Sequence, residues 1–155
     1  MLVKRLDLTA GSTVIDLCCG TGKNLSYLVD AVGPNGHVIG VDRSAGMLDS
    51  ASEKAKTGNW TNVEMIHADV ESWPIPSNAS AVLSTFGLEM VPGYESVIQR
   101  VASALPTNGR LGLLGLKYPD RWPDWLVNIG ISLHKPFGVS TVMPRSNLGK
   151  PPSDI

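Results

Sequence analysis

Apolar residues along this chain change their spacing repeatedly, and always in the same order. "STVIDL" (residues 12–17) is a short, unbroken apolar run of the kind a buried parallel strand needs. From Gly22 onward, Leu25, Leu28, Val29 and Val32 fall at helical spacing, and Gly33-Pro34-Asn35-Gly36 then stops the helix and turns the chain. "HVIGVD" predicts a second strand. Ser44 stands where it can cap a second helix, whose Met47, Leu48, Ala51 and Ala55 recur on one side. After the Gly58-Asn59 break, "VEMIHA" predicts a third strand and "AVLSTF" a fourth. Ile98, Val101, Ala102 and Leu105 form the stripe of a third helix, ended by Pro106-Thr107-Asn108-Gly109, and "RLGLLGL" is a fifth strand weakened by its glycines.

Strands that alternate with helices predict an α/β fold built on a mainly parallel sheet with right-handed crossovers. In such sheets a ligand lies outside the carboxyl ends of the strands. Here those ends are Asp16-Leu17, Asp42, His67 to Asp69, and Phe86-Gly87, which supply acids, glycines and small polar groups at each strand. Beyond Leu116 the character shifts. "PDRWPDWLVNIGISLHKPFGV" carries an apolar stripe through Trp122, Trp125, Leu126, Ile129 and Leu133, and the last dozen residues, with Pro144, Pro151 and Pro152, read as loop or tail.

The totals narrow the function classes. A chain of 155 residues with 43% hydrophobic and 17% charged residues is sized and composed for a packed globular core. Its formal charge of −1 offers no basic stripe for nucleic acid. Cys18 and Cys19 are adjacent, which suits two reduced, small, buried side chains, and no further soft ligands stand at zinc spacing, so no metal is expected. No secretory signal or run of about 18 apolar residues is visible, which makes a cytoplasmic location the expectation.

The stretch "VIDLCCGTGKN" (residues 14–24) stops a strand beside a carboxylate and turns on closely spaced glycines. Three ligands compete for such a turn. A phosphate-binding loop needs a first glycine where Leu17 stands and a hydroxyl where Asn24 stands. A dinucleotide turn needs three glycines, but Cys18 replaces the first and Leu25 the third; Asp42, about 20 residues on, would hold ribose hydroxyls in either kind of nucleoside site. A sulfonium nucleoside differs in charge. It brings a cationic sulfur and an ammonium, which Asp16 would accommodate and a pyrophosphate would not exploit. The charge pattern favours this third reading.

Three segments, "VIDLCCGTG", "VIGVDRSAGML" and "HADVESWPIP", resemble in order and spacing the first three signatures of class I S-adenosylmethionine-dependent methyltransferases. The resemblance spans roughly Thr13 to Lys117. It implies a Rossmann-like, doubly wound sheet with strand order 3-2-1-4-5, a cofactor-binding domain over residues 1–117, and an aromatic helical lid and tail over residues 118–155. By the same resemblance, Asp16, Cys18, Gly20 and Gly22 face the methionine part of S-adenosylmethionine. Asp42 holds the ribose, Arg43 and Met47 line the adenosine, Asp69 accepts from the adenine amino group with Ala68 and Val70 beside the ring, and Thr85 to Gly87, including Phe86, border the methyl group. The family usually has glycine at the position of Cys18, and "CCGTG" is similar to variants among small-molecule and quinone methyltransferases. The tail is similar to the lid of bacterial members acting on amine headgroups of phospholipids or other lipophilic acceptors.

Relatives carry a leading helical segment and a terminal antiparallel hairpin that this sequence does not show, so it reads as a fragment, a short variant or half of an assembly. The aromatic tail or a second copy of the chain, as a homodimer, is expected to cover the edge of the fifth strand. The Trp122–Leu133 stripe fits either core packing over the sheet or a lid in peripheral contact with a membrane; the short terminus favours the core. Methyl transfer needs alignment and exclusion of water more than it needs a base, and no catalytic residue is named by the motifs. Among the titratable groups, His67 suits a structural role, Glu89 either an acceptor-facing role or a solvated loop, Tyr27 either the pocket or packing, His37 the surface, and Lys23 either the methionine carboxylate or solvent. The implied activity is methyl transfer to a small or lipophilic acceptor, such as an amine headgroup lipid or a quinone. A non-catalytic fragment binding S-adenosylmethionine or S-adenosylhomocysteine, or a scaffold domain, is the alternative.

Overall fold

The computed structural model describes residues 2–115. The chain divides into two units, Met1–Gly115 and Leu116–Ile155, and the described residues belong to the first. The expectations for the Trp122–Leu133 stripe and the proline-bearing tail lie outside them.

The predicted strands form within two residues of their sequence boundaries, while the first helix starts three residues after Gly22 and the third begins at Tyr94, ahead of the stripe read from Ile98. The elements are β1 (Thr13–Leu17), α1 (Leu25–Val32), β2 (His37–Asp42), α2 (Ala45–Thr57), β3 (Val63–His67), β4 (Ala81–Thr85), α3 (Tyr94–Ala104) and β5 (Arg110–Leu114). The five strands make one sheet in the order β3-β2-β1-β4-β5, and every neighbouring pair is parallel. The order reverses around β1, so the crevice between the ends of β1 and β4 is the switch point at which such sheets take their ligands.

Two apolar clusters fix the layers. Val14, Val38, Ala81 and Leu83 from one face of the sheet bury Leu25, Leu28 and Val32 of α1 and Ala51 of α2. Ile15, Leu17, Ile39, Val41 and Val82 from the other face meet Val97 and Val101 of α3. Residues two apart on a strand share a face, so Asp16, between Ile15 and Leu17, lies on the α1 side with Val14. It is a carboxylate set into the apolar layer.

Some details differ from the pattern read in the sequence. The buried stripe of α3 runs through Val97 and Val101, with Ile98 half-buried and Ala102 exposed. An i, i+4 pair of valines reaches the sheet, and the adjacent row is turned outward. Met47 leaves the core stripe of α2 and is exposed, whereas Leu48 and Ala51 are buried. Ser44 occupies the N-cap of α2 in extended conformation, but its hydroxyl makes no capping bond. Its amide donates instead to Asp42 Oδ1 at 2.9 Å. A short 3-10 turn, Leu2–Arg5, precedes the sheet, and a Cβ added to Gly112 would lie 2.8 Å from Leu6 Cδ2. The glycine in β5 thus lets the amino-terminal turn lie against the strand.

At the switch point the two strand ends nearly touch. A Cβ built on Gly87, just past β4, would stand 2.4 Å from Cys18 Cβ, just past β1. Neither atom can move without its backbone. Gly87→Ala is therefore expected to destabilise the chain by about 1–3 kcal/mol through overpacking, measured by urea unfolding. Adding Cys18→Gly removes the opposing carbon and is expected to recover part of the loss. Equal losses in the single and double variants would contradict this packing.

Candidate functional site

Between β1 and α1 the backbone takes the left-handed conformation at alternate residues: Cys18 (φ 56°), Gly20 (φ 54°) and Gly22 (φ 70°). Glycine adopts this region freely and cysteine does not, so the first of the three positions carries strain of about 1–2 kcal/mol. The winding keeps residues 18–24 out of the helix, and α1 starts at Leu25, three residues later than the apolar spacing suggested.

The turn is anchored to the end of β2. Gly20 N–H donates to Asp42 Oδ2 at 2.8 Å, Cys19 N–H donates to the Val41 carbonyl at 3.1 Å, and Lys54 Nζ reaches the Thr21 carbonyl at 2.7 Å. Asp42 is 8% exposed, and its two oxygens receive the amides of Gly20 and Ser44. One carboxylate thus ties the glycine turn to the start of α2. Met47 Sδ lies 3.5 Å from where a Gly20 Cβ would be, which brings that exposed side chain to the turn. Arg43 is exposed.

Asp16 is fully buried. Its oxygens accept from a single group, Asn24 Nδ2, at 3.3 and 3.1 Å, and the same nitrogen donates to Thr85 Oγ1 at the end of β4 at 2.9 Å. Burial pushes the Asp16 carboxyl up to about 7; the Asn24 hydrogen bond lowers it and the nearby Asp42 charge raises it further. The thiols respond in the same direction. Burial, reinforced by Asp42, pushes Cys18 up to about 12, and Cys19 is raised by burial and by Asp16. Both cysteines are free and neutral at ordinary pH, so neither is an activated nucleophile. Cys19 is buried as expected, while Cys18 is only half-buried.

Beyond β3, Ala68 N–H donates to the Asp42 carbonyl at 3.1 Å, and Val70 is buried. The exposed Asp69 accepts from the Glu71 amide at 2.9 Å, closing a local turn. That loop is held from α3. Arg100 donates to the carbonyls of Val70 at 3.0 Å, Trp73 at 2.8 Å and Glu71, and Glu71 Oε1 accepts the Gly93 amide at 2.9 Å. Arg100 did not stand out in the sequence, and Asn24 entered there only as the residue standing where a phosphate-binding loop has its hydroxyl.

At the end of β4, Thr85 is half-buried, and Phe86 is 51% exposed with φ 57°, an outlier for a bulky residue. His67 Nε2 lies 3.0 Å from the Arg43 carbonyl, a structural bond between β3 and β2. His37 pairs with Glu64 at 3.1 Å among exposed side chains. Tyr27 and Lys23 are exposed and Glu89 is half-buried.

A family model described as a methyltransferase domain matches residues 14–109. The chain belongs to the class I S-adenosylmethionine-dependent methyltransferases. Among curated members of this family, it is 35% identical over 124 residues to the demethylmenaquinone methyltransferase of Listeria welshimeri, an alignment covering 79% of this chain and 52% of that protein. With the enzyme of the same name from Shouchella clausii it shares 35% over 118 residues, 76% of this chain and 50% of the other. The chain thus spans about half the length of these relatives. Among solved methyltransferase folds, an S-adenosylmethionine-dependent methyltransferase from Aquifex aeolicus matches with TM-score 0.65 and 22% identity over 84% of this chain and 74% of that one. Coclaurine N-methyltransferase, bound to N-methylheliamine and S-adenosylhomocysteine, matches with TM-score 0.63 and 24% identity over 71% and 32%. A protein titled a [4+2]-cyclase matches as well, with TM-score 0.65 and 23% identity over 72% and 41%. At these identities the likeness fixes the fold and leaves the reaction to the site.

The buried acid of this methyltransferase domain gives a direct test. Asp16 is raised in the folded state from 3.8 to about 7, so the native chain binds a proton that the unfolded chain has lost, and folding loses stability as pH rises between those values. Asp16→Asn does not titrate. In thermal melts without ligand, its advantage over the parent is expected to grow from pH 4 to pH 7 and to stay constant above. A difference independent of pH would contradict the burial of an ionisable group.

Proposed function

We propose that this chain is the S-adenosylmethionine-binding part of a methyltransferase whose acceptor is a lipophilic quinone-type ring. The observation that carries the proposal is the acidic lining of the switch point. Asp16 lies beneath the turn with its carboxylate held by one amide, and Asp42 stands 2.8 Å from the Gly20 nitrogen. Two carboxylates at a glycine turn disfavour a pyrophosphate and favour a ligand that is cationic at one end and bears ribose hydroxyls at the other.

In this reading Asp16 and the Cys18–Gly22 turn hold the methionine end, Asp42 the ribose, and Arg43 and Met47 the adenosine edge. Ala68, Asp69 and Val70 hold the adenine, while Thr85 and Phe86 border the transferred methyl. When bound, the cofactor supplies an electrophilic methyl on a good leaving group. The chain's own residues have the tasks of orientation and desolvation, which can lower a barrier by about 7–11 kcal/mol in favourable cases. Pinning of the Asp69 loop by Arg100 and of the glycine turn by Asp42 suits that task. The neutral thiols and the carbonyl-bound His67 offer no strong base, which fits an acceptor that arrives already nucleophilic.

Two features support a lipophilic acceptor. The curated relatives compared above carry demethylmenaquinone in their names. Elements leaving the carboxyl ends of β1, β2 and β4 also expose Tyr27, Met47, Phe86 and Met90, an apolar supply at the end of the sheet where an acceptor would enter. An amine headgroup of a phospholipid is the competing acceptor. Among the described residues no helix is long and apolar enough to cross a membrane.

Calorimetric titration with S-adenosylmethionine, S-adenosylhomocysteine and NAD is expected to show binding of the first two and none of the third. Asp42→Ala is expected to weaken that binding by about 1.5–3 kcal/mol, the worth of a hydrogen bond to a charged group; unchanged affinity would contradict the placement of the ribose. Transfer of a labelled methyl group to a demethylated quinone and to phosphatidylethanolamine then separates the two acceptors.

A further inference from the structure

Asn24 occupies the N-cap position of α1, where an asparagine side chain normally accepts a free amide of the first turn. It makes no such bond, and its backbone is already helical at φ −86°, ψ −16°. Both hydrogens of its side-chain amide are spent elsewhere: on the two oxygens of Asp16 at 3.3 and 3.1 Å, and on Thr85 Oγ1 at 2.9 Å. The side-chain nitrogen of Asn24 faces Asp16, the orientation that suits the ionised acid, which only accepts hydrogen bonds. The amide oxygen is left without a hydrogen-bond partner among the described residues. A good cap has been diverted to bridge β1 and β4 across the switch point.

Asp16 exposes no surface, so the charge that suits a cationic ligand has no direct route to it. Asn24 is half-buried and supplies that route. An amide that donates to a carboxylate is polarised, which makes its own carbonyl oxygen a stronger acceptor. We propose that Asn24 is a positioning residue that relays the Asp16 charge to the ligand: its amide hydrogens lock Asp16 and Thr85, and its carbonyl oxygen accepts from the ammonium of the methionine end. This rests on the S-adenosylmethionine reading of the site and adds a residue to it.

A pH signature accompanies the relay. The groups facing Asp16 are Asp42 at the end of β2, the thiols of Cys18 and Cys19 in the turn, and the uncharged Asn24 and Thr85 from α1 and β4. Of these, Asn24 is the one that favours the ionised acid. Ligand affinity through this route therefore rises with pH as Asp16 ionises, and removing the amide moves the rise to higher pH.

The test is calorimetry on the full chain between pH 6 and pH 8.5, with two probes. S-adenosylhomocysteine carries the ammonium; adenosine does not. For Asn24→Leu, S-adenosylhomocysteine affinity at pH 7.5 is expected to fall about tenfold or more, with the midpoint of its pH profile displaced upward and adenosine affinity unchanged. Thr85→Val, on a different element, is expected to weaken S-adenosylhomocysteine in the same direction, and it decides the matter should Asn24→Leu fail to fold. Equal loss of both probes with an unmoved pH midpoint would mean a merely structural asparagine and overturn the inference. Parent-like binding in the variants would overturn it while leaving the cofactor reading intact. Failure of the parent to bind either probe would overturn both.

Discussion

One carboxylate, set where the apolar layer between sheet and helix should continue, organises this domain. Asp16 follows Val14 and Ile15 on the central strand, is fully buried, and has one side chain, Asn24, to hydrogen-bond both its oxygens. An ionised acid in that position is costly, because burial strips its solvation and the groups acting on it, Asn24 and Asp42, supply no positive charge. The fold places that cost at the end of β1, the strand around which the parallel sheet reverses its order. The free chain is therefore poised to gain when a positive charge arrives there.

The surroundings can be derived from that requirement. To bring a ligand beside β1 the chain must leave the strand without continuing into the helix, and three alternate left-handed residues do so, at Cys18, Gly20 and Gly22. A turn of that shape has unsatisfied amides, and Asp42 receives the one at Gly20 from the neighbouring strand while its other oxygen starts α2. The next wall, beyond β3, has no regular structure to support it, and Arg100 holds it by its carbonyls from α3. On the opposite wall Gly87 packs tightly against Cys18, and Phe86 holds a left-handed backbone unusual for a bulky residue.

Much of this was legible in the residue order. Apolar runs marked β1, β2 and β4, because a strand covered on both faces has little polar side to show, while the edge strands β3 and β5 are partly exposed and gave a weaker signal. The acids at strand ends marked the crevice, and the three motif segments gave the family before any geometry was known. What escaped shares a physical reason. The inward row of α3 passes through Val97 rather than Ala102, since two overlapping apolar rows exist on that helix and only contact with the sheet selects one. Met47 fitted the core stripe of α2 by spacing, yet lies exposed beside Gly20. Asn24 looked like a failed phosphate loop and proved to be a diverted cap, because nothing local tells where an amide will find its acceptors. Roles that depend on partners 61 residues apart, as for Asn24 and Thr85, are written in the tertiary structure.

The central claim is that a buried, half-protonated acid at the end of β1 becomes fully charged when a cationic nucleoside binds. Proton exchange on binding reads this most directly. S-adenosylhomocysteine is titrated calorimetrically at pH 6, where its ammonium is fully charged, in buffers of different ionisation enthalpy. The account predicts release of a proton to the buffer in the parent chain and none in Asp16→Asn. Binding without proton release, or the same release in both, would contradict it.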